Sequence, residues 1–280
     1  MSRKSIFDLI NSSFDLSQEL TRILRLFEST KTVRTDRWGH LSLLEYMQRE
    51  GFSTWKNRGH FIDATDFLSA FEYKILRQSA LSVNLDLLLL IEIIYNFWHI
   101  AATQTHSLHV HTEQGKNFKL LKTIMDDCLA HYGYKGEYLC EKQQLIVIED
   151  KPEATAVAEI TQDVRFLRYN HFLLKGDLAA KKELLLAFGS DLEPKRATFE
   201  AVNKALTSDI FFMLNNLHLR HNNKAEGDKH YKAVVAKMDN ATLENWYDEL
   251  YQMILLAYLE LDQVARGNRV ATLKTLLNQN

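Results

Sequence analysis

The residues best suited to chemistry crowd into one run, His218-Leu219-Arg220-His221-Asn222-Asn223, inside the stretch from Asp209 to Val264. An imidazole titrates near neutral pH and can take or give a proton, and a guanidinium can stabilise charge that builds on a phosphoryl group. Histidine, arginine and asparagine side by side therefore suit phosphodiester cleavage. His230 follows after a short linker and is a further candidate for holding substrate. A structural reading is open as well. A histidine bonded to an asparagine at a helix C-terminus, where the helix dipole favours cations, needs no substrate.

A helix must deliver this knot. Ile210, Leu214 and Leu217 form one apolar stripe on the segment that enters it. If that helix runs on, His221 lies about 20° from Ile210 at 100° per residue and faces the bundle interior, with Arg220 roughly 100° away. Asn215 and Asn222 share another face, with His218 between that face and the stripe.

A second polar group, Arg165, Arg168, Tyr169, Asn170 and His171, falls on a helix expected over 153–174. Arg168 and His171 are three apart and share a face, so they can complete a substrate-binding site if this helix packs beside the knot. A solvated face is the plainer reading. His106, His109 and His111 invite a metal, because alternate residues of an extended segment point to one side. Only Glu113 accompanies them, so a solvated loop is expected, with no metal and no cofactor. Walker, dinucleotide-binding, HExxH and GxSxG motifs are absent, which runs against an NTPase, a dehydrogenase, a zinc protease and an α/β-hydrolase. Cys128 and Cys140 lack metal spacing and read as reduced thiols.

The body that holds these residues reads as mainly α. Hydrophobic residues are 46% and charged residues 25% of the 280, which excludes a disordered chain, and there are only two prolines, Pro152 and Pro194. Average usage is about 5%, and proline interrupts helix interiors, so long helices are expected. Helices are predicted at 15–28, 41–49, 63–78, 85–104 and 117–132, then at 153–174, 177–189, 194–218, 228–238 and 242–265, with a short one near 269–278. Residues 29–40 read as a loop. Residues 137–149 break the helical pattern with two β-rich runs around Glu141-Lys142-Gln143-Gln144, a small hairpin. The expected architecture is a multi-helix bundle with that one hairpin: an N-terminal helical region 1–135, a connector 136–152 and a C-terminal bundle 153–280, packed as one body. Trp246, Tyr247, Leu250, Tyr251, Ile254 and Tyr258 form an aromatic stripe that is either core or the face of a homodimer. Net charge is −2, so no global basic field calls for nucleic acid or an anionic membrane. The run from Leu85 to Ala102 carries Asp86, Glu92 and His99 and reads as a core helix, and the opening MSRKSIFDLINSS lacks the apolar core of a secretory leader. A cytoplasmic protein is expected.

The C-terminal bundle, with LNNLHLRHNN ahead of a long amphipathic helix, resembles the HEPN superfamily of all-helical domains over about residues 153–265. Members occur among prokaryotic abortive-infection and toxin proteins, commonly dimerise, and many are metal-independent ribonucleases. Their motif is an arginine, a polar residue, four to six residues and a histidine. Here His221 follows Arg220 directly, and His230 comes after nine intervening residues; the spacing with five residues between occurs instead at Arg34 to His40 and Arg165 to His171. The resemblance implies RNA as substrate, a homodimer, and an antitoxin or defence-system partner. It implies His221 as the acid–base group for attack of a 2′-hydroxyl on the adjacent phosphate, Arg220 as the stabiliser of phosphorane charge, and Asn222, Asn223 and His218 as orienting groups. The rival reading is a non-enzymatic helical scaffold or regulatory interaction module.

Overall fold

The computed structural model describes residues 14–80, 85–104 and 112–278. His106, His109 and His111 lie outside the described residues. The architecture is mainly α with two small antiparallel hairpins. The chain divides into two compact units, Met1–Asp150 and Lys151–Asn280.

In the first unit α1 (Leu16–Glu28) starts at Asp15, whose carboxylate accepts from the Ser17 and Gln18 N–H groups and caps it. It buries Leu20, Ile23, Leu26 and Phe27. The expected loop at 29–40 contains a hairpin instead: β1 (Val33–Thr35) pairs with β2 (Gly39–Leu41), with Arg34 opposite His40. Three-residue strands are too short to show alternation in sequence. A capping box between Ser42 and Glu45 opens α2 (Leu43–Tyr46), which continues through a π-helical turn (Met47–Gly51) into α3 (Phe52–Thr54). The helix expected to end at 49 therefore runs on through Gly51. A Cβ there would come within 2.6 Å of the Tyr46 ring, so glycine is what lets the turn close. The helix expected at 63–78 is two, α4 (Ala64–Ala70) and α5 (Tyr73–Ser79), broken at Glu72, which adopts φ +49°.

The centre of this unit is α6 (Leu85–Gln104). Among the described residues it is the one helix long and apolar enough to cross a membrane, yet most of it is buried inside the unit. Its two buried polar residues, Glu92 and Asn96, are one turn apart and meet the second hairpin. Asn96 both donates to the Leu145 carbonyl (2.7 Å) and accepts from the Leu145 N–H (2.8 Å), and Glu92 accepts from the Val147 N–H (2.6 Å). The helix thus satisfies the free edge of β4 (Gln144–Glu149), whose other edge pairs with β3 (Tyr134–Leu139). Along the chain, α7 (Glu113–His131), capped by Thr112, comes between α6 and that hairpin.

The second unit begins with Pro152 in the first turn of α8 (Pro152–Thr161), where a missing N–H is tolerated. The helix expected to reach 174 stops at Gln162 in left-handed conformation. The short α9 (Arg165–Tyr169) and a 3₁₀ turn (Phe172–Leu174) follow. Asp177 caps α10 (Leu178–Leu192). The next helix, α11 (Arg196–Asn216), is interrupted at Asn203, whose φ of −148° is extended. Its side chain recaps the helix by accepting from the Leu206 N–H (3.1 Å), while its amide donates to Glu260. Only Ala233–Ala236 (α12) of the expected helix 228–238 forms. The two expected final helices are one, α13 (Asn240–Leu277), 38 residues long and capped by Asp239. Gly267 costs a helix interior only about 1 kcal/mol, and nothing there supplies a stop. Tyr247, Leu250, Tyr251, Ile254 and Tyr258 are buried in the core of this unit, and Trp246 is exposed. Phe166 stacks on Phe188 and Tyr169 on Tyr251, with centroids 4.4 and 4.0 Å apart.

Candidate functional site

The knot begins earlier than a regular helix requires. After Asn216, Leu217 still bonds back to the Met213 carbonyl, but His218 turns left-handed at φ +59°. The Arg220 N–H then folds back onto the Leu214 carbonyl (3.1 Å). Glycine is the usual residue in such a reversal, so the sequence carries no sign of it. Helical extrapolation past 217 consequently fails, and His221, expected in the bundle interior, is half-exposed.

Asn223 is the tie. It is fully buried; its side-chain oxygen accepts from the His218 N–H (2.8 Å) and its amide donates to the His230 carbonyl (2.8 Å). Its own carbonyl accepts from the Lys232 N–H (2.9 Å). One side chain therefore pins both ends of a loop from 218 to 232. Asn222 makes a local turn instead, accepting from the Lys224 and Ala225 N–H groups at 3.3 and 3.2 Å.

The loop's main consequence is that His221 and His230 stack, with centroids 3.9 Å apart and planes 9° from parallel. Both are half-exposed. Desolvation, then the charges of His221, Lys229 and Lys232, push the His230 pKa down against the pull of Asp228. His218 is also pushed down, by burial and by Lys182 and Lys224, and its Nδ1 is buried with no hydrogen-bond partner. Lys182 donates to the His218 carbonyl (2.5 Å), and burial and Lys224 depress its pKa too. Lysines thus cluster around the three imidazoles, a local basic patch on a chain of net charge −2.

Arg220 points elsewhere. Its guanidinium pairs with Glu193 (2.7 Å), donates to the Gly189 carbonyl (3.2 Å) and lies over the Phe211 ring at 5.3 Å. A Cβ on Gly189 would sit 3.0 Å from Leu214, so that glycine sets how closely α10 approaches α11. Arg220 bolts the two helices together at this point. The second polar group is likewise occupied: Arg165 pairs with Asp163 (2.6 Å) and Asp191 (2.5 Å), and Asn170 is buried against Tyr251. Arg168 is exposed, and the His171 Nδ1 accepts from the Leu173 N–H (3.4 Å) while its ring lies against Phe172. Among the described residues no three His, Cys, Asp or Glu side chains are placed to hold a metal ion.

One cluster escaped the sequence reading. Lys181 is buried and pairs with Glu244 (2.8 Å) and Asp248 (2.6 Å), and Tyr169 donates to the same Asp248 oxygen (3.0 Å). Burial opposes ionisation of Glu244, but Lys181 and the Gly176 N–H hold its carboxyl below the ordinary range. The signal was present: Lys181 heads the buried stripe Leu185, Phe188, Leu192. A lysine on an apolar face implies a carboxylate opposite.

No family model matches this chain, and no curated protein or solved structure is significantly similar to it.

Proposed function

We propose that the second unit is a HEPN-like, metal-independent ribonuclease of a prokaryotic defence or toxin system, working at the knot through His221 and His230. The observation that supports this is the stacked, half-exposed histidine pair, held by Asn223 and flanked by lysines. Two adjacent imidazoles can divide the work of base and acid between them. The neutral ring takes the proton of an RNA 2′-hydroxyl as that oxygen attacks phosphorus. The protonated ring gives its proton to the departing 5′-oxygen. The O2′–P bond forms and the P–O5′ bond breaks, leaving a 2′,3′-cyclic phosphate and a 5′-hydroxyl. Lys224, Lys229 and Lys232 offset the added phosphorane charge. Arg220, held by Glu193 and Gly189, and Asn223, buried at the loop base, are positioning residues.

A second reading, a catalytically silent relative acting as an interaction module, is favoured by that same engagement of Arg220 and Asn223 in the fold. It is also favoured by the end of α13: residues 263–278 are exposed throughout and carry Val270, Leu273 and Leu277 with Arg266, Arg269 and Lys274 and no acid. A protein partner or a second copy would cover this end, since the tyrosine stripe is core. Incubating single-stranded RNA with wild-type chain, His221→Ala and His230→Ala in chelator separates the two. Cleavage by the wild type alone supports the enzyme. RNA retention without cleavage in all three supports the silent relative, and neither binding nor cleavage removes RNA from the account.

A further inference from the structure

The first unit contains a cavity that the ribonuclease reading does not use. It has a volume of about 680 Å³ and lies between α1, α2, α4 and α5. That is within the range of about 300–1,000 Å³ common for small-molecule sites. Its apolar lining comes from Leu44, Leu68 and Tyr73, together with the exposed Ile75. The polar groups beside it are not equivalent. The Glu28 carboxylate already accepts from the Tyr73 hydroxyl (2.9 Å) and pairs with Arg77 (2.9 Å). Lys74 is exposed and has no carboxylate within ion-pair distance among the described residues. A second hollow of about 560 Å³ shares Lys74 and Arg77 with it, and among the described residues those two cations are its only charged lining. Glu28 and Glu72 line the larger cavity and not this hollow.

A cavity with an apolar lining thus shares two cations with a neighbouring hollow that no described carboxylate lines, one cation already paired with Glu28 and one with no ion-pair partner among the described residues. We propose that this is a binding site for an anionic amphiphile, with the hydrocarbon body against Leu44, Leu68 and Tyr73 and the anionic head at Lys74 and Arg77. A medium-chain carboxylate is the simplest member of the class. The recognition is additive: burial of the chain supplies affinity that grows with its length, and Lys74 supplies the preference for a charged head over an uncharged one.

The test is calorimetric titration of the full chain with octanoate and with octanol. Wild type binds octanoate saturably and prefers it to octanol by about fivefold, the size expected of one partly exposed ion pair. Lys74→Glu, a change on an exposed side chain, removes that preference and leaves octanol binding intact. Ser69→Trp, which fills the mouth from an exposed position, weakens both ligands by about tenfold or more. Circular dichroism confirms that each variant is folded. Absence of saturable octanoate binding by the wild type, equal affinity for octanol, or unchanged affinity in both variants overturns the proposal.

Discussion

Two polar clusters of the second unit use similar side chains to opposite ends. Around Lys181 a lysine, a tyrosine and two carboxylates meet across α9, α10 and α13, and the one cation pairs with both carboxylates. At the knot three imidazoles and several lysines gather with Asp228 as the near acid, one imidazole nitrogen is buried without a partner, and two rings are left half-exposed. The first arrangement holds helices in register. The second keeps positive potential and titratable groups at the surface, at a cost in stability.

Mutations separate the two. The largest effect is expected from Lys181→Ala, which strands Glu244 and Asp248 and should cost about 3 kcal/mol in urea unfolding while leaving RNA cleavage per folded molecule unchanged. Asn223→Ala comes next, at about 2 kcal/mol, since the His218 N–H and His230 carbonyl lose their buried partner. Unlike Lys181→Ala, it should also abolish cleavage by releasing the histidine pair. His218→Gly should stabilise by up to about 1 kcal/mol, because glycine accepts the left-handed turn without strain. That substitution also bears on pH. The folded-state pKa values of His218 and His230 lie below their ordinary value of about 6.5, so the unfolded chain binds more protons in the interval between. Stability should therefore rise with pH through that interval and level off above about 6.5, with a shallower rise in His218→Gly. The smallest effect belongs to Glu193→Gln. It weakens a partly exposed pair worth about 0.5 kcal/mol and, on the proposal that the histidine pair does the chemistry, should leave cleavage unchanged.

Much of this was legible from residue types. The proline-poor, periodic chain announces helices, the β-rich runs around Gln143 announce the hairpin, and the Leu85–Gln104 helix reads as core. What escaped depended on groups distant in sequence or on backbone states without a residue marker. The left-handed turn at His218 has no glycine to betray it, and the break at Asn203 is supported by Glu260 on another helix. The continuity of α13 through Gly267 follows from the absence of a cap rather than from any positive sign. The knot was found by composition, but the contacts within it were not legible. Arg220 and His221 are adjacent in sequence, whereas a buried asparagine brings His221 and His230 together across nine residues.

The central claim is that this pair does the chemistry, and its pH–rate profile tests it most directly. Single-turnover cleavage of single-stranded RNA in chelator, followed from pH 5 to 8, should trace a bell for the wild type, with one ring as base and the other as acid. His230→Ala should lower the maximum by about 100-fold or more and remove one limb. Equal rates and an unchanged profile in the variant, or no cleavage by the wild type at any pH, would contradict it.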